Sequence, residues 1–128
     1  DVMVLIYPDV PYGEKAEQLE KYNQLKTLMN TTFKPMMDDC FGEDAEWVDE
    51  RCVLKFNIGD VKWYDSYPDV QMFQSMLRTL NGGAVDPIGG YCTEFMRVGE
   101  DDNDIESDNN GDNLRYYLSV RREIVCDV

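Results

Sequence analysis

An unbroken apolar run near the start of the sequence constrains the fold more than any other feature. Residues 2–7 read Val, Met, Val, Leu, Ile and Tyr, and Pro8 ends the run. A short apolar run bounded by turn residues is typical of a strand that is buried on both faces. The sequence therefore predicts a central strand at 2–7, with protein packed on each side of it.

Two helical patterns follow this strand. From about Glu14 to Met29, apolar residues recur every three or four positions, and charged residues occupy most of the opposite face. The second pattern begins at Ser66, which fits a capping residue, and ends at Asn81-Gly82-Gly83. Its expected buried stripe consists of Val70, Phe73, Met76, Leu77 and Leu80.

A hairpin is predicted between the two helices, and further strands after the second one. Residues 52–56 alternate between buried and exposed types, Gly59-Asp60 fits a tight turn, and 61–64 would form the returning strand. Tyr91 to Val98 and Leu114 to about Val125 also alternate. We expect these last two strands to pair with each other.

The element order strand, helix, hairpin, helix, strand predicts the fold class. It is the order of an α+β ferredoxin-like sandwich, an antiparallel sheet with two helices packed on one face. A chain of 128 residues is long enough for one core, so we expect a single domain over residues 1–128. The segment at about 99–113 is expected to be an acidic flexible loop within this domain.

The predicted hairpin carries a family resemblance. The run Phe56-Asn57-Ile58-Gly59-Asp60-Val61-Lys62-Trp63-Tyr64 resembles the central hairpin of SEA domains, in which an aromatic residue precedes a Gly-Ser turn and a hydrophobic strand. The resemblance implies an extracellular module of a mucin, receptor or membrane-anchored protease, often glycosylated. Asp60 stands where self-cleaving SEA domains have their nucleophilic serine, so self-cleavage is not expected here.

The cysteines indicate an oxidising compartment. Four cysteines without a CxxC pair or any histidine argue against a zinc site and favour two disulfides. Among the three possible connectivities we prefer Cys40–Cys52 and Cys92–Cys126, with free buried thiols as the alternative. Asn30-Thr31-Thr32 is an N-glycosylation sequon. Together these features predict a glycoprotein that is secreted, extracellular or in the lumen of the secretory pathway.

Charge and residue types exclude several functions. A net charge of −14 disfavours nucleic acid and anionic lipid as partners, because phosphate binding needs clustered lysine and arginine. It permits calcium, a basic partner or simple solvation. The lack of histidine rules out serine and cysteine triads of the usual kind, and no GxSxG motif is present. We therefore predict that the protein is not an enzyme.

The most acidic stretch runs from Glu100 to Asn113, with seven carboxylates and no basic residue. Oxygen-rich sequence of this kind suits calcium, although it fails as an EF-hand because Tyr117 stands where the last glutamate belongs. The alternative is a solvated, self-repelling loop. The candidate calcium ligands are Asp101, Asp102, Asp104, Glu106, Asp108 and Asp112.

The strand after this stretch supplies a candidate interaction face at Arg115, Tyr117 and Arg121, residue types that are favoured at protein contacts. We predict a non-catalytic interaction or structural module of a larger membrane-anchored or matrix protein. Crowded carboxylates predict self-association under acidic conditions, where their repulsion is relieved. The alternative is an acidic matrix domain for biomineralisation, whose 100–112 carboxylates associate with calcium, polycationic components or mineral.

Overall fold

A computed structural model describes residues 1–59, 62–99, 104–120 and 124–128. Its long elements are β1 (Val2–Pro8), α1 (Lys15–Asn30), α3 (Pro68–Asn81) and β4 (Tyr91–Val98). The shorter ones are α2 (Lys34–Asp39), a 3₁₀ turn (Gly42–Asp44), β2 (Ala45–Val48), β3 (Val53–Ile58), β5 (Ile105–Asn110), β6 (Leu118–Val120) and β7 (Ile124–Cys126). The first five strands form an antiparallel sheet in the order β2-β3-β1-β4-β5.

The predicted central strand is confirmed. β1 pairs with β3 on one side and with β4 on the other. Val4 and Ile6 point into the core beneath the helices, whereas Leu5 and Tyr7 point into a second core on the opposite face. An apolar run without alternation is what a strand covered on both faces requires.

The α+β class with an antiparallel sheet and helices on one face is also confirmed. Leu25 and Met29 of α1, and Phe73 and Leu80 of α3, belong to one core with the facing side chains of β1, β3 and β4. α3 ends as predicted, with Gly82 in the left-handed conformation at φ 89°, but Tyr67 rather than Ser66 precedes its first turn. Within the described ranges, no helix is long and apolar enough to cross a membrane.

The central hairpin lies elsewhere than predicted. β2 and β3 pair through a turn at 49–52, so Cys52 is a turn residue with φ 56° rather than part of a strand. Residues 62–64 form no strand, while Asp60 and Val61 lie outside the described residues. Trp63 instead packs, 8% exposed, into the helix-side core. The expected strand pairing does not form because burial of the Trp63 ring beside the α3 side chains stabilises the protein more than one residue of a short exposed strand would.

The C-terminal third also differs from the prediction. β4 pairs with β5, so residues 105–110 of the expected flexible loop are an edge strand. The expected strand at 114–125 is not continuous: β6 and β7 form a separate two-stranded sheet. Leu118 and the partly buried Leu114, Ile124 and Cys126 cover the second face of the main sheet. This segment buries the apolar side chains that the helices leave uncovered.

The cysteines are free thiols, so the expected disulfides are not seen. Cys40 lies at the end of α2, where its Sγ is 3.8 Å from Met72 Sδ, whereas the Cys52 Sγ lies 3.8 Å from the Asp49 carbonyl oxygen. These different surroundings explain why the Cys40–Cys52 pairing is not formed. Cys92 and Cys126 do share the second core.

Candidate functional site

A polar groove of about 350 Å³ runs between α3 and the edge strand β5. We call it the α3–β5 groove. Its floor is formed by side chains of β4 and β5, and its wall by polar side chains of α3. The described lining residues are Asp65, Gln74, Leu77, Arg78, Asn81, Gly83, Thr93, Phe95, Glu106, Asp108 and Asn110.

The topology of the sheet creates this groove. α3 packs on β4, which leaves the outermost strand β5 beyond the edge of the helical layer. The antiparallel register places Asn110 beside Thr93, and Asp108 beside Phe95. Side chains alternate between the faces of a strand, so Glu106, Asp108 and Asn110 all point to the helix side. The sequence pattern that looked like a loop is therefore the polar floor of a groove.

The groove is negatively charged. Gln74 donates a hydrogen bond to Asp65 Oδ1 at 3.3 Å, and Asn110 Nδ2 donates to Asp108 Oδ1 at 3.0 Å. These donors are neutral amides, and neither carboxylate forms a salt bridge with a described residue. Three carboxylates line the groove, Arg78 is the basic side chain in the described lining, and Arg97 pairs with Glu106 from beside it. Carboxylates therefore outnumber the guanidinium groups.

β5 also presents an open backbone edge. It pairs with β4 on one side, and in the part of the chain that the structure describes no strand pairs with its other side. Five of its six residues are exposed, including Ile105 at 46%. Unpaired N–H and C=O groups along such an edge can accept a further strand, and charged side chains guard against uncontrolled pairing.

The candidate calcium ligands do not converge in the described residues. Asp104 lies before β5 and forms a salt bridge with Arg97, Oδ1 to Nη2 at 2.8 Å, and Glu106 pairs with the same guanidinium at 3.2 Å. The Arg97 guanidinium holds the pKa of Asp104 below its usual range. Asp112 lies beyond the far end of β5. No metal-binding cluster of acidic or cysteine side chains occurs within the described ranges, and Asp101 and Asp102 lie outside them.

A buried carboxylate that no sequence pattern predicted lies on the second face. Glu94 is fully buried in β4, where its Oε2 accepts a hydrogen bond from the Tyr7 hydroxyl at 2.5 Å and its Oε1 accepts one from the Leu118 N–H at 3.1 Å. Tyr7 in turn accepts a hydrogen bond from the Arg115 N–H at 2.8 Å. The available signal was a carboxylate between Cys92 and Met96, on an otherwise apolar face.

Asp9 fastens the start of the C-terminal segment to the same face. Its carboxylate accepts hydrogen bonds from the backbone N–H groups of Asp112 and Asn113, at 2.9 and 2.8 Å. Partial burial raises the pKa of Asp9, but these hydrogen bonds and those from the Asn113 amide and the Cys92 thiol outweigh it and hold the pKa below its ordinary value. Asp9 and Glu94 therefore hold the C-terminal segment against the sheet.

Two residues of the predicted interaction face serve the fold. Arg115 Nη2 donates to the Val10 carbonyl at 3.0 Å, and its guanidinium lies over the Tyr12 ring, 5.5 Å from the centroid. Tyr117 packs edge-on against Tyr7, with 5.5 Å between ring centroids. Arg121 lies outside the described residues. Arg115 and Tyr117 therefore help to hold the C-terminal segment in place.

Comparison with known proteins identifies no relative. The chain matches no protein-family model, and neither the curated proteins nor the solved structures show significant similarity to it. Function must therefore be argued from the chain's own geometry.

Proposed function

We propose that this protein is a non-catalytic interaction module that binds a cationic, extended segment of a partner protein at the α3–β5 groove. The observation that carries the proposal is the open, exposed edge of β5, whose carboxylates Glu106 and Asp108 point into that groove. A net charge of −14 attracts a basic partner over longer distances.

Strand addition is the binding mode that this edge favours. An extended segment pairs its backbone with the free edge, and alternate side chains enter the pockets beside it. Lysine or arginine at every second position would then face Glu106 and Asp108, while the intervening side chains lie on the opposite face near Ser107. Backbone pairing supplies affinity, and the alternating charges fix the register.

We propose that the module acts outside the cell or in the secretory lumen, as part of a larger membrane-anchored or matrix protein. The sequon supports this location, because Asn30 is exposed at the last position of α1 and is accessible to a glycan. The β-α-β-β-α-β order of the first four strands and two long helices supports a ferredoxin-like module, and the SEA resemblance stays a prediction.

Fluorescence anisotropy with a labelled peptide of about eight alternating lysine and valine residues tests the proposal. We expect binding that weakens with added salt and that is lost when alternate backbone nitrogens on the pairing edge are methylated. Glu106→Gln/Asp108→Asn should weaken binding by about tenfold or more, since two charge contacts are lost.

Glu17→Gln/Glu20→Gln is the matched control, because it removes the same charge from exposed positions on α1. If both double variants weaken binding equally, the peptide responds only to net charge and the groove is not the site. Binding that survives backbone methylation would retain the groove and reject strand addition.

Association with calcium or mineral is the alternative, carried by the same row of exposed β5 carboxylates. A ligand that binds only the folded state raises the unfolding midpoint by mass action. A clear rise with millimolar calcium near neutral pH, abolished by Glu106→Gln/Asp108→Asn, would favour this alternative. An unchanged midpoint would count against it.

A further inference from the structure

Sulfur atoms gather where α2 meets α3. α2 supplies Met36 and Met37, Cys40 follows its last residue, and α3 supplies Met72 and Met76. Met36 and Met76 are only 2% exposed, which is the ordinary use of methionine as core filling. Met72 is different, because 45% of it is exposed while its sulfur faces a thiol. Core packing therefore does not account for its position.

We propose that Cys40 and Met72 bind a soft monovalent cation of the Cu(I) class. Thiolate and thioether sulfurs select such ions over the hard cations that carboxylates prefer. The two sulfurs lie 3.8 Å apart before any ion is bound. With metal–sulfur bonds of about 2.3 Å, the length found for zinc thiolates, this separation subtends about 110° at the ion. The pair is thus already spaced for chelation.

The angle leaves one coordination position free for a third donor atom. Asp69 Oδ1 lies 3.7 Å from Cys40 Sγ and places a negative charge beside the cation. A thiolate and a thioether next to a carboxylate suit a monovalent soft metal.

Binding exchanges a proton for the metal and transfers no electrons. The Cys40 thiol loses its proton to solvent, the thiolate forms a bond to the ion, and Met72 donates a lone pair. Because the ion replaces this proton, the affinity should rise as the pH rises for as long as the free thiol is protonated.

Anaerobic titration of the whole chain with Cu(I), in competition with a chromophoric Cu(I) chelator, tests the site. We expect one tight equivalent, with near-ultraviolet thiolate-to-metal absorption. Cys40→Ser should abolish it, and Met72→Leu should weaken it by about tenfold or more while keeping the side-chain volume. Silver(I) should give the same order of affinities without redox chemistry.

Cys52→Ser and Met3→Leu are the matched controls. Cys52 is also a partly exposed thiol whose pKa burial raises, but its sulfur lies beside a carbonyl oxygen rather than a thioether. Both controls should leave the affinity unchanged, and circular dichroism should show all variants folded. If Met72→Leu binds as tightly as the parent, or if Cys52→Ser weakens binding as much as Cys40→Ser, isolated thiols hold the metal and the proposed site is wrong.

Discussion

The Tyr7 hydroxyl donates a hydrogen bond to the fully buried carboxylate of Glu94, and these two residues join the central strand to its neighbour β4. The other carboxylate oxygen accepts the Leu118 N–H, so the pair also holds the C-terminal segment on the second face. A buried polar group is tolerated only where hydrogen bonds replace its hydration. This pair is therefore the polar centre of an otherwise apolar layer.

Tyr7→Phe should destabilise the protein strongly. The change leaves Glu94 with one donor fewer and the Arg115 N–H without its acceptor, which should cost about 3 kcal/mol of unfolding free energy. Urea unfolding followed by circular dichroism measures this. Tyr12→Phe is the control, because Tyr12 is 92% exposed and should change stability by less than about 0.5 kcal/mol. Equal effects of both changes would contradict the assigned role of Tyr7.

Stability should fall in alkaline solution. Burial raises the pKa of Tyr7, Tyr22 and Tyr91, and Glu94 and Asp49 raise those of Tyr7 and Tyr22 further. The folded state thus holds these protons more tightly than the unfolded chain. The stabilisation that these tyrosines contribute is fully present below pH 10.0, the ordinary pKa of tyrosine, and it is lost as the pH rises above that value.

Urea midpoints across that pH range should show this loss. Tyr7→Phe should reduce the slope of stability against pH, whatever its effect at neutral pH. A slope that matches the parent's would show that Tyr7 does not contribute.

Self-association should increase under acidic conditions through the β5 edge. The carboxylates of β5 repel a second copy of the strand, and acid reduces the net charge of −14 that keeps copies apart. Dynamic light scattering should show larger particles as pH falls from about 7.5 to about 5. Glu106→Gln/Asp108→Asn should move the onset towards neutral pH, and Glu17→Gln/Glu20→Gln should not. Flat scattering across the range would reject the prediction.

Gly111→Ala should destabilise the attachment of the C-terminal segment. Gly111 has φ 141°, and an added Cβ would clash with Cys92 Sγ, which is buried in β4. Gly13→Ala is the control, because Gly13 has φ 96° but no atom within 4 Å of the added Cβ. We expect about 1 kcal/mol for the backbone strain at Gly13 and clearly more at Gly111. Similar unfolding midpoints would argue against close packing there.

Thiol reactivity should distinguish the four cysteines. Cys92 is fully buried, and burial together with the Asp9 carboxylate raises its pKa to about 12, so it should react with a disulfide reagent only after unfolding. Cys40, Cys52 and Cys126 are partly exposed and should react in the native state. Four titratable thiols in urea would match the structure. Two would instead reveal one bridge, which mass spectrometry of peptides could assign.

The sequence by itself determined the elements whose pattern is local and strong. Three elements depend only on residues that are close together in the sequence. They are β1 with its apolar run, α1 with its helical periodicity, and α3 with Gly82 at its end. β4 was predicted with its observed bounds. The α+β class followed from the order of these elements.

Only the tertiary structure decided the pairing of the remaining segments. Residues 105–110 have a polar, loop-like composition, and they form a strand because β4 offers them an unpaired edge. Trp63 does not form the predicted hairpin strand because its side chain packs into the helix-side core. The α3–β5 groove and the contact between Cys40 and Met72 join residues that are distant in sequence. Such contacts depend on how the helices and the sheet pack together, which cannot be predicted from residues that are neighbours in the sequence.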